Sequence, residues 1–135
     1  IDDPAAARAI HTVLRAATGA QRRAVIDALV AGRDPRVVPM LVHVLRESQP
    51  LGQDHEMVLE TAKALGTVGG NAGVLALRQL AERRAFFGRR KLRAVKAHCV
   101  EALVRIGSPE AETALREAAQ TGDRMLRKIL GSRTR

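Results

Sequence analysis

The sequence predicts an all-helical solenoid of about three and a half stacked helix–turn–helix units. Two observations carry that expectation. First, an Ala-Leu pair, a tight turn and a following apolar stripe recur along the chain. Ala28-Leu29-Val30 leads to Asp34-Pro35, then Val38, Leu41, Val44 and Leu45. Ala64-Leu65 leads to Gly69-Gly70-Asn71, then Val74, Leu77 and Leu80. Ala102-Leu103-Val104 leads to Ser108-Pro109, then Ala111, Ala114, Leu115 and Ala118. Asp3-Pro4, followed by Ile10, Val13, Leu14 and Arg15, matches the second half of such a unit. The turn positions Pro4, Pro35, Asn71 and Pro109 are spaced by 31, 36 and 38 residues, an irregular period of two helices per unit. Second, the apolar residues are almost all Ala, Leu and Val, with no Trp, no Tyr and two adjacent Phe, Phe86 and Phe87. Such small side chains suit closely spaced helices rather than a core filled by aromatic rings.

Local chemistry accounts for each element in turn. Asp34 and Ser108 can cap helices by accepting from free backbone amides. Pro35 and Pro109 then fall at the first helical position, where a missing N–H costs nothing. Gly32, Gly69 and Gly107 are placed to end the preceding helices in the left-handed conformation. Val95, Cys99, Ala102, Leu103 and Ile106 form one helical stripe, and Met57, Val58, Ala62, Leu65 and Val68 another. Pro39, one turn inside its helix, predicts a kink or a delayed start. Gln49 to Gln53 reads as a loop, and Arg83 to Arg90 as a longer one. The expected helices are 4–17, 20–31, 35–48, 54–67, 71–84, 90–106, 109–120 and 123–130. Grouped, they give one domain over 1–135: a half unit at 1–18, units at 20–48, 54–84 and 90–120, and the opening of another at 123–130. Neither end carries a polar capping unit, so the sequence reads as a segment of a longer array.

Charge is the loudest compositional feature: net +9, with 23 basic and 14 acidic residues. An acidic partner follows: nucleic acid, a membrane surface or an acidic protein. Only four of the cations are Lys, and joint Arg and Ala enrichment also follows from GC-rich coding, so charge alone selects no partner. The single cysteine, Cys99, excludes an internal disulfide and a Cys-based zinc site and permits a reducing, cytoplasmic setting. No stretch is apolar enough for a membrane span.

Catalytic constellations are sparse. His11, His43, His55 and His98 are never three or four positions apart, so no helix carries a local metal pair. His55-Glu56 lacks the second His of a zinc-protease helix. Cys99 lies on an apolar stripe and points about 100° away from His98, against a nucleophile–base pair. Glu56 and Glu60 share a helix face and could act together as an acidic pair, with surface solvation the preferred reading. Gly66, Gly69 and Gly70 lack the Lys-Ser/Thr of a phosphate loop and read as an inter-helix turn.

The strongest local signal is basic. Arg83, Arg84, Arg89, Arg90, Lys91, Arg93 and Lys96 follow one another with no acid between, and Phe86 and Phe87 lie inside the run. The run is suited to grip phosphates or acidic side chains, with a Phe free to stack or insert. Crowding cations at a helix start opposes the macrodipole by about a few tenths of a kcal/mol each. The alternative, preferred for the Phe pair, is that the rings fold back over the gap between two units. A second basic patch comprises Arg124, Arg127, Lys128, Arg133 and Arg135. If the second helices of the units line one face, Arg36, His43, Arg46, Arg78 and Arg116 are their partner-facing residues.

The stretch Ala102-Leu103-x-x-Ile106-Gly107-Ser108-Pro109-Glu110-Ala111-x-x-Ala114-Leu115 resembles the HEAT-like repeats of bacterial proteins, and Phe87 to Arg93 resembles a linker found in such proteins. The resemblance extends over nearly the whole chain. It implies adaptor scaffolds, phycobilin lyases or alkylpurine DNA glycosylases, because this fold serves all three. The glycosylase site sets Trp side chains around an Asp, and this sequence has no Trp. No lyase motif transfers. The reading that results is a right-handed α-solenoid of HEAT-like units acting as a non-catalytic scaffold, without cofactor or metal. Its partner is a protein or another domain of the same chain, with nucleic acid as the alternative through residues 83–96.

Overall fold

The computed structural model describes residues 4–133. Asp3 of the expected Asp3-Pro4 turn and Arg135 of the second basic patch lie outside the described residues. Eight helices follow one another: α1 (Pro4–Ala16), α2 (Gly19–Ala31), α3 (Val37–Glu47), α4 (His55–Val68), α5 (Asn71–Ala81), α6 (Arg89–Ile106), α7 (Pro109–Thr121) and α8 (Arg124–Arg133). They form two layers. Helices α2, α4, α6 and α8 pack each on the next, and α1, α3, α5 and α7 do the same beside them. Each second-layer helix also packs on the following first-layer helix: α3 on α4, α5 on α6, α7 on α8. Contacts of every helix thus reach two positions along the chain, the signature of a helical repeat.

Caps set several of the boundaries. Thr18 and Gln21 form a reciprocal capping box that starts α2. Ser108 Oγ accepts from the Ala111 N–H at 3.1 Å, with Pro109 at the first position of α7. The Asp34-Pro35 turn differs from the expectation. Asp34 Oδ1 accepts from the Arg36 N–H at 3.0 Å, but α3 begins only at Val37. Pro39 supplies the reason: it has no N–H to donate to Pro35, so regular helix starts late and Pro39 sits in the first turn. Arg36 therefore lies in the turn before α3, not on it. Gly107 is left-handed as expected (φ 63°), whereas Gly32 is right-handed (φ −76°) and Arg33 takes the positive φ of 49°. Gly69 has positive φ (84°) but an extended ψ of −157°.

The core runs through both layers. Leu14, Leu41, Leu65, Leu77, Leu92 and Leu126 are fully buried, each contributing about 2 kcal/mol of apolar transfer. The most extensive helix contact joins α4 to α6, and it explains the small side chains. Gly66 lies inside α4, not in the turn with Gly69 and Gly70. A Cβ on Gly66 would stand 2.9 Å from Ala102 Cα of α6. Only a hydrogen fits there.

One charged residue joins the core. Lys96 is 0% exposed, and its Nζ donates to Ala81 O and Arg83 O, both at 2.6 Å. It also stands 3.3 Å from Asp123 Oδ2. Asp123 Oδ1 in turn accepts from the Leu126 N–H at 2.8 Å, capping α8. Burial by itself would raise the Asp123 carboxyl. The Leu126 N–H and the nearby Lys96 and Arg84 outweigh it and hold the carboxyl below its usual value of 3.8. One side chain therefore closes the end of α5, anchors the following loop and secures the start of α8.

This packing sets the outcome of three substitutions. Lys96→Met orphans the buried Ala81 carbonyl and the part-buried Arg83 carbonyl and removes the cation nearest Asp123, so it should lower unfolding free energy by about 3 kcal/mol in urea denaturation. Gly66→Ala should lower it by about 1–3 kcal/mol despite a better helix propensity, because backbone blocks the new methyl. Gly32→Ala, with open space around its Cβ position, should be neutral or stabilising in the same assay.

Candidate interaction surface

The loop between α5 and α6 collects the cations named from the sequence. Lys96 holds its first carbonyls, and Gly88, left-handed at φ 68°, opens α6. A Cβ on Gly88 would meet the Leu51 side chain at 3.5 Å, so this loop lies against the α3–α4 loop. Arg83, Arg84, Arg89, Arg90, Lys91 and Arg93 are all exposed, and none meets a carboxylate within 4 Å among the described residues. Phe86 is 93% exposed and Phe87 87%. The expectation that these rings fold back over the gap between units is overturned. The neighbouring core is already filled by Leu80, Ala81, Leu92 and Val95, leaving the rings in solvent.

Lys96 does not belong to this surface. Its amine is spent on two carbonyls and Asp123, so it supports the loop from beneath. The signal was present in the sequence: Lys96 is flanked four residues away on either side by Leu92 and Val100, inside the buried stripe of α6.

The residues expected on the second-layer helices are arranged differently. Arg46 Nη2 donates to Gln79 Oε1 at 3.2 Å, from α3 to α5. Arg78 Nη1 lies 2.7 Å from Glu117 Oε1, from α5 to α7. His43 meets the His11 ring edge-on, centroids 5.7 Å apart, from α3 to α1. Arg36 is clamped by Asp34, with Nη2 to Oδ2 at 2.6 Å, and that side-chain bond holds the Asp34 carboxyl at about 2. Arg116 has Thr113 as its hydrogen-bond partner, at 3.2 Å. These groups bind successive helices to one another or their own turns; Arg78 also reaches Glu82 at the start of the α5–α6 loop at 3.6 Å, and Arg46 lines one cleft with Arg83.

The remaining chemistry-bearing residues serve the fold. Glu60 is not half of a free acidic pair with Glu56: Arg22 Nε stands 2.5 Å from it and Arg23 Nη1 3.7 Å. Cys99 is fully buried, and burial pushes its thiol up to about 12, the wrong direction for a nucleophile. Among the described residues no group of three or more His, Cys, Asp or Glu is placed to hold a metal ion, and no helix is long and apolar enough to cross a membrane.

The fold and this surface define a helical repeat protein that presents a basic loop. Residues 95–121, covering most of α6, the Ser108 turn and α7, match the family described as PBS lyase HEAT-like repeat, which supports reading the chain as a HEAT-like repeat protein. No curated protein matches the chain.

The His11–His43 contact escaped sequence reasoning because the two residues lie 32 positions apart, and only helix stacking joins them. Ser48 Oγ donates to Val44 O at 2.5 Å and so receives the His11 Nε2 proton at 3.2 Å. Burial lowers the His11 pKa below 6.5; His43 and Arg15 add to the lowering, and Asp54 and Glu47 oppose it. The unfolded chain therefore binds this proton more readily than the folded one. Stability present at neutral pH should fall as pH drops below 6.5, and His11→Gln should flatten that part of a urea-midpoint profile.

Proposed function

We propose that this chain is a non-catalytic binding scaffold, one stretch of a right-handed superhelix, that engages an acidic partner protein, or an acidic domain of its own chain, through the α5–α6 loop. The units at 20–48, 54–84 and 90–120 form a single domain that holds the loop rigid, in a cytoplasmic setting. The observation that carries this reading is the pairing of two solvent-exposed rings with six exposed cations, none of which has a carboxylate within 4 Å among the described residues. Some arginines elsewhere in the fold are matched: Arg22 with Glu60, Arg78 with Glu117, Arg133 with Glu101. Exposed Phe supplies the desolvated anchor of a protein interface, and the arginines supply the charged rim. The cations crowding the start of α6 then become favourable, since an arriving carboxylate meets both them and the free N–H groups of the first turn.

A second reading, a nucleic-acid backbone bound at the same loop, is supported by the same unpaired cations, with a Phe stacking on a base. The two readings separate in an anisotropy titration against a Glu-rich peptide bearing Leu anchors and against random-sequence DNA, from about 50 to 200 mM salt. The protein reading expects the peptide to bind at both salts, and Phe86→Ala with Phe87→Ala to weaken it about tenfold. Micromolar DNA binding with a steep salt slope, each Arg→Gln change removing about one unit of slope, would instead establish the nucleic-acid reading.

A further inference from the structure

Between α3 and α5 the second layer opens into a cleft of about 330 Å³. Both walls are inner members of that layer, since α3 also packs on α1 and α5 also packs on α7. Leu45, Ala76 and Leu80 form the floor and are buried. Arg46, Gln79 and Arg83 line the cleft above them, and all three are exposed. Among the described residues no acid lines it. The glutamates next in sequence to the two arginines are engaged elsewhere. Glu47 is close enough to His11 of α1 to oppose the lowering of its pKa, and Glu82 Oε2 lies 3.6 Å from Arg78 Nε.

The repeat frame shows that this charge pattern belongs to one level of the stack. Turn spacings of 31, 36 and 38 residues make Arg15, Arg46 and Glu82 equivalent on the earlier wall, and Glu47, Arg83 and Thr121 equivalent on the later one. The level before therefore sets an arginine with a glutamate, and the level after a glutamate with a threonine. Among the described levels, only the one between α3 and α5 sets two arginines together, and neither has a carboxylate within 4 Å. Like charges sharing a cleft repel, and a floor of Leu and Ala screens them less than water does. Both are nonetheless held in place. Gln79 Oε1 accepts from Arg46 Nη2 at 3.2 Å and turns that guanidinium toward α5. Lys96 Nζ fixes the Arg83 carbonyl at 2.6 Å, so the Arg83 side chain leaves from an anchored backbone. An anion between the two would remove the repulsion and use donors that are already aimed.

We propose that the α3–α5 cleft is a carboxylate subsite, in which an Asp or Glu side chain of an acidic partner protein is held between Arg46 and Arg83. The proposal rests on the reading of the chain as a scaffold for such a partner, and it extends the contact from the α5–α6 loop onto the second-layer face. Arg83 belongs to both surfaces, so one continuous acidic segment can reach them together. The aliphatic part of the bound side chain covers the Leu and Ala floor. Water displaced from that floor leaves the carboxylate and the two guanidinium groups in a less polar setting, where charge-assisted hydrogen bonds are stronger.

The test titrates the Glu-rich, Leu-anchored peptide by anisotropy at about 50 mM salt and runs a double-mutant cycle on stability beside it. Arg46→Gln should weaken the peptide about fivefold although residue 46 lies outside the loop, and Arg46→Lys should weaken it less. Arg8→Gln, which removes an exposed cation from α1, should change binding by less than about twofold. In urea, Arg83→Glu should be better tolerated with Arg46 present than in the Arg46→Gln background, because it sets a carboxylate in the cleft beside Arg46. Both arginines are exposed, so the variants should keep the fold, which circular dichroism checks. Binding by Arg46→Gln that is no weaker than binding by Arg8→Gln would overturn the subsite, and so would stability effects of Arg46→Gln and Arg83→Glu that simply add. If Phe86→Ala with Phe87→Ala weakens the peptide and Arg46→Gln does not, the subsite alone falls. If Arg46→Gln weakens it and the Phe pair does not, the loop reading falls and the subsite stands. Random-sequence DNA that loses about one unit of salt slope in Arg46→Gln, with the peptide unaffected, would assign the cleft to phosphate and overturn the proposal. No saturation of the wild type by about 1 mM peptide would overturn both.

Discussion

Lys96 is the interaction on which the functional geometry depends. A fully buried amine is costly unless its donors are satisfied, and here three oxygens from three places in the chain satisfy it: the end of α5, the loop after it and the residue before α8. The consequence is architectural. Without it the α5–α6 loop would leave the stack with the buried Ala81 carbonyl unsatisfied and the Arg83 carbonyl unanchored. With it, the loop emerges from a fixed base and spends its other cations on solvent. The cation that looks from the sequence like one more phosphate ligand is what lets the others be presented.

The stack itself rests on a different constraint, close approach. Gly66 against Ala102 brings α4 and α6 together at the most extensive contact in the fold, and the Ala-rich composition makes such approach possible. Large aromatic side chains are unnecessary where helices pack this closely. The two Phe are therefore outside the core.

Much of this was legible in the sequence, for reasons that can be named. The eight helices lie within about three residues of their expected bounds because caps, turns and apolar periodicity are local signals. What the sequence hid was tertiary. Asp34-Pro35 looked like a helix start equivalent to Ser108-Pro109, yet Pro39 delays α3, since only one of the two turns has a second proline downstream. The Phe pair was expected to cover a gap that the surrounding Leu and Ala had already closed. Arg46, Arg78 and His43 looked like a free face, but stacking brought Gln79, Glu117 and His11 to meet them. Lys96 was readable in principle, since its stripe neighbours Leu92 and Val100 mark a buried position. Basic composition around it masked that signal.

The central claim is that one buried amine couples the α5–α6 loop to α8. Amide hydrogen exchange of the wild type and Lys96→Met tests it most directly, because it reads local opening residue by residue. The account predicts that the substitution speeds exchange together at the end of α5, in the loop base at residues 82–85 and in the first turn of α8, while α2 and α4 lose no more protection than the global loss of stability imposes. Unchanged protection at the start of α8, or a loss spread evenly over all helices, would contradict it.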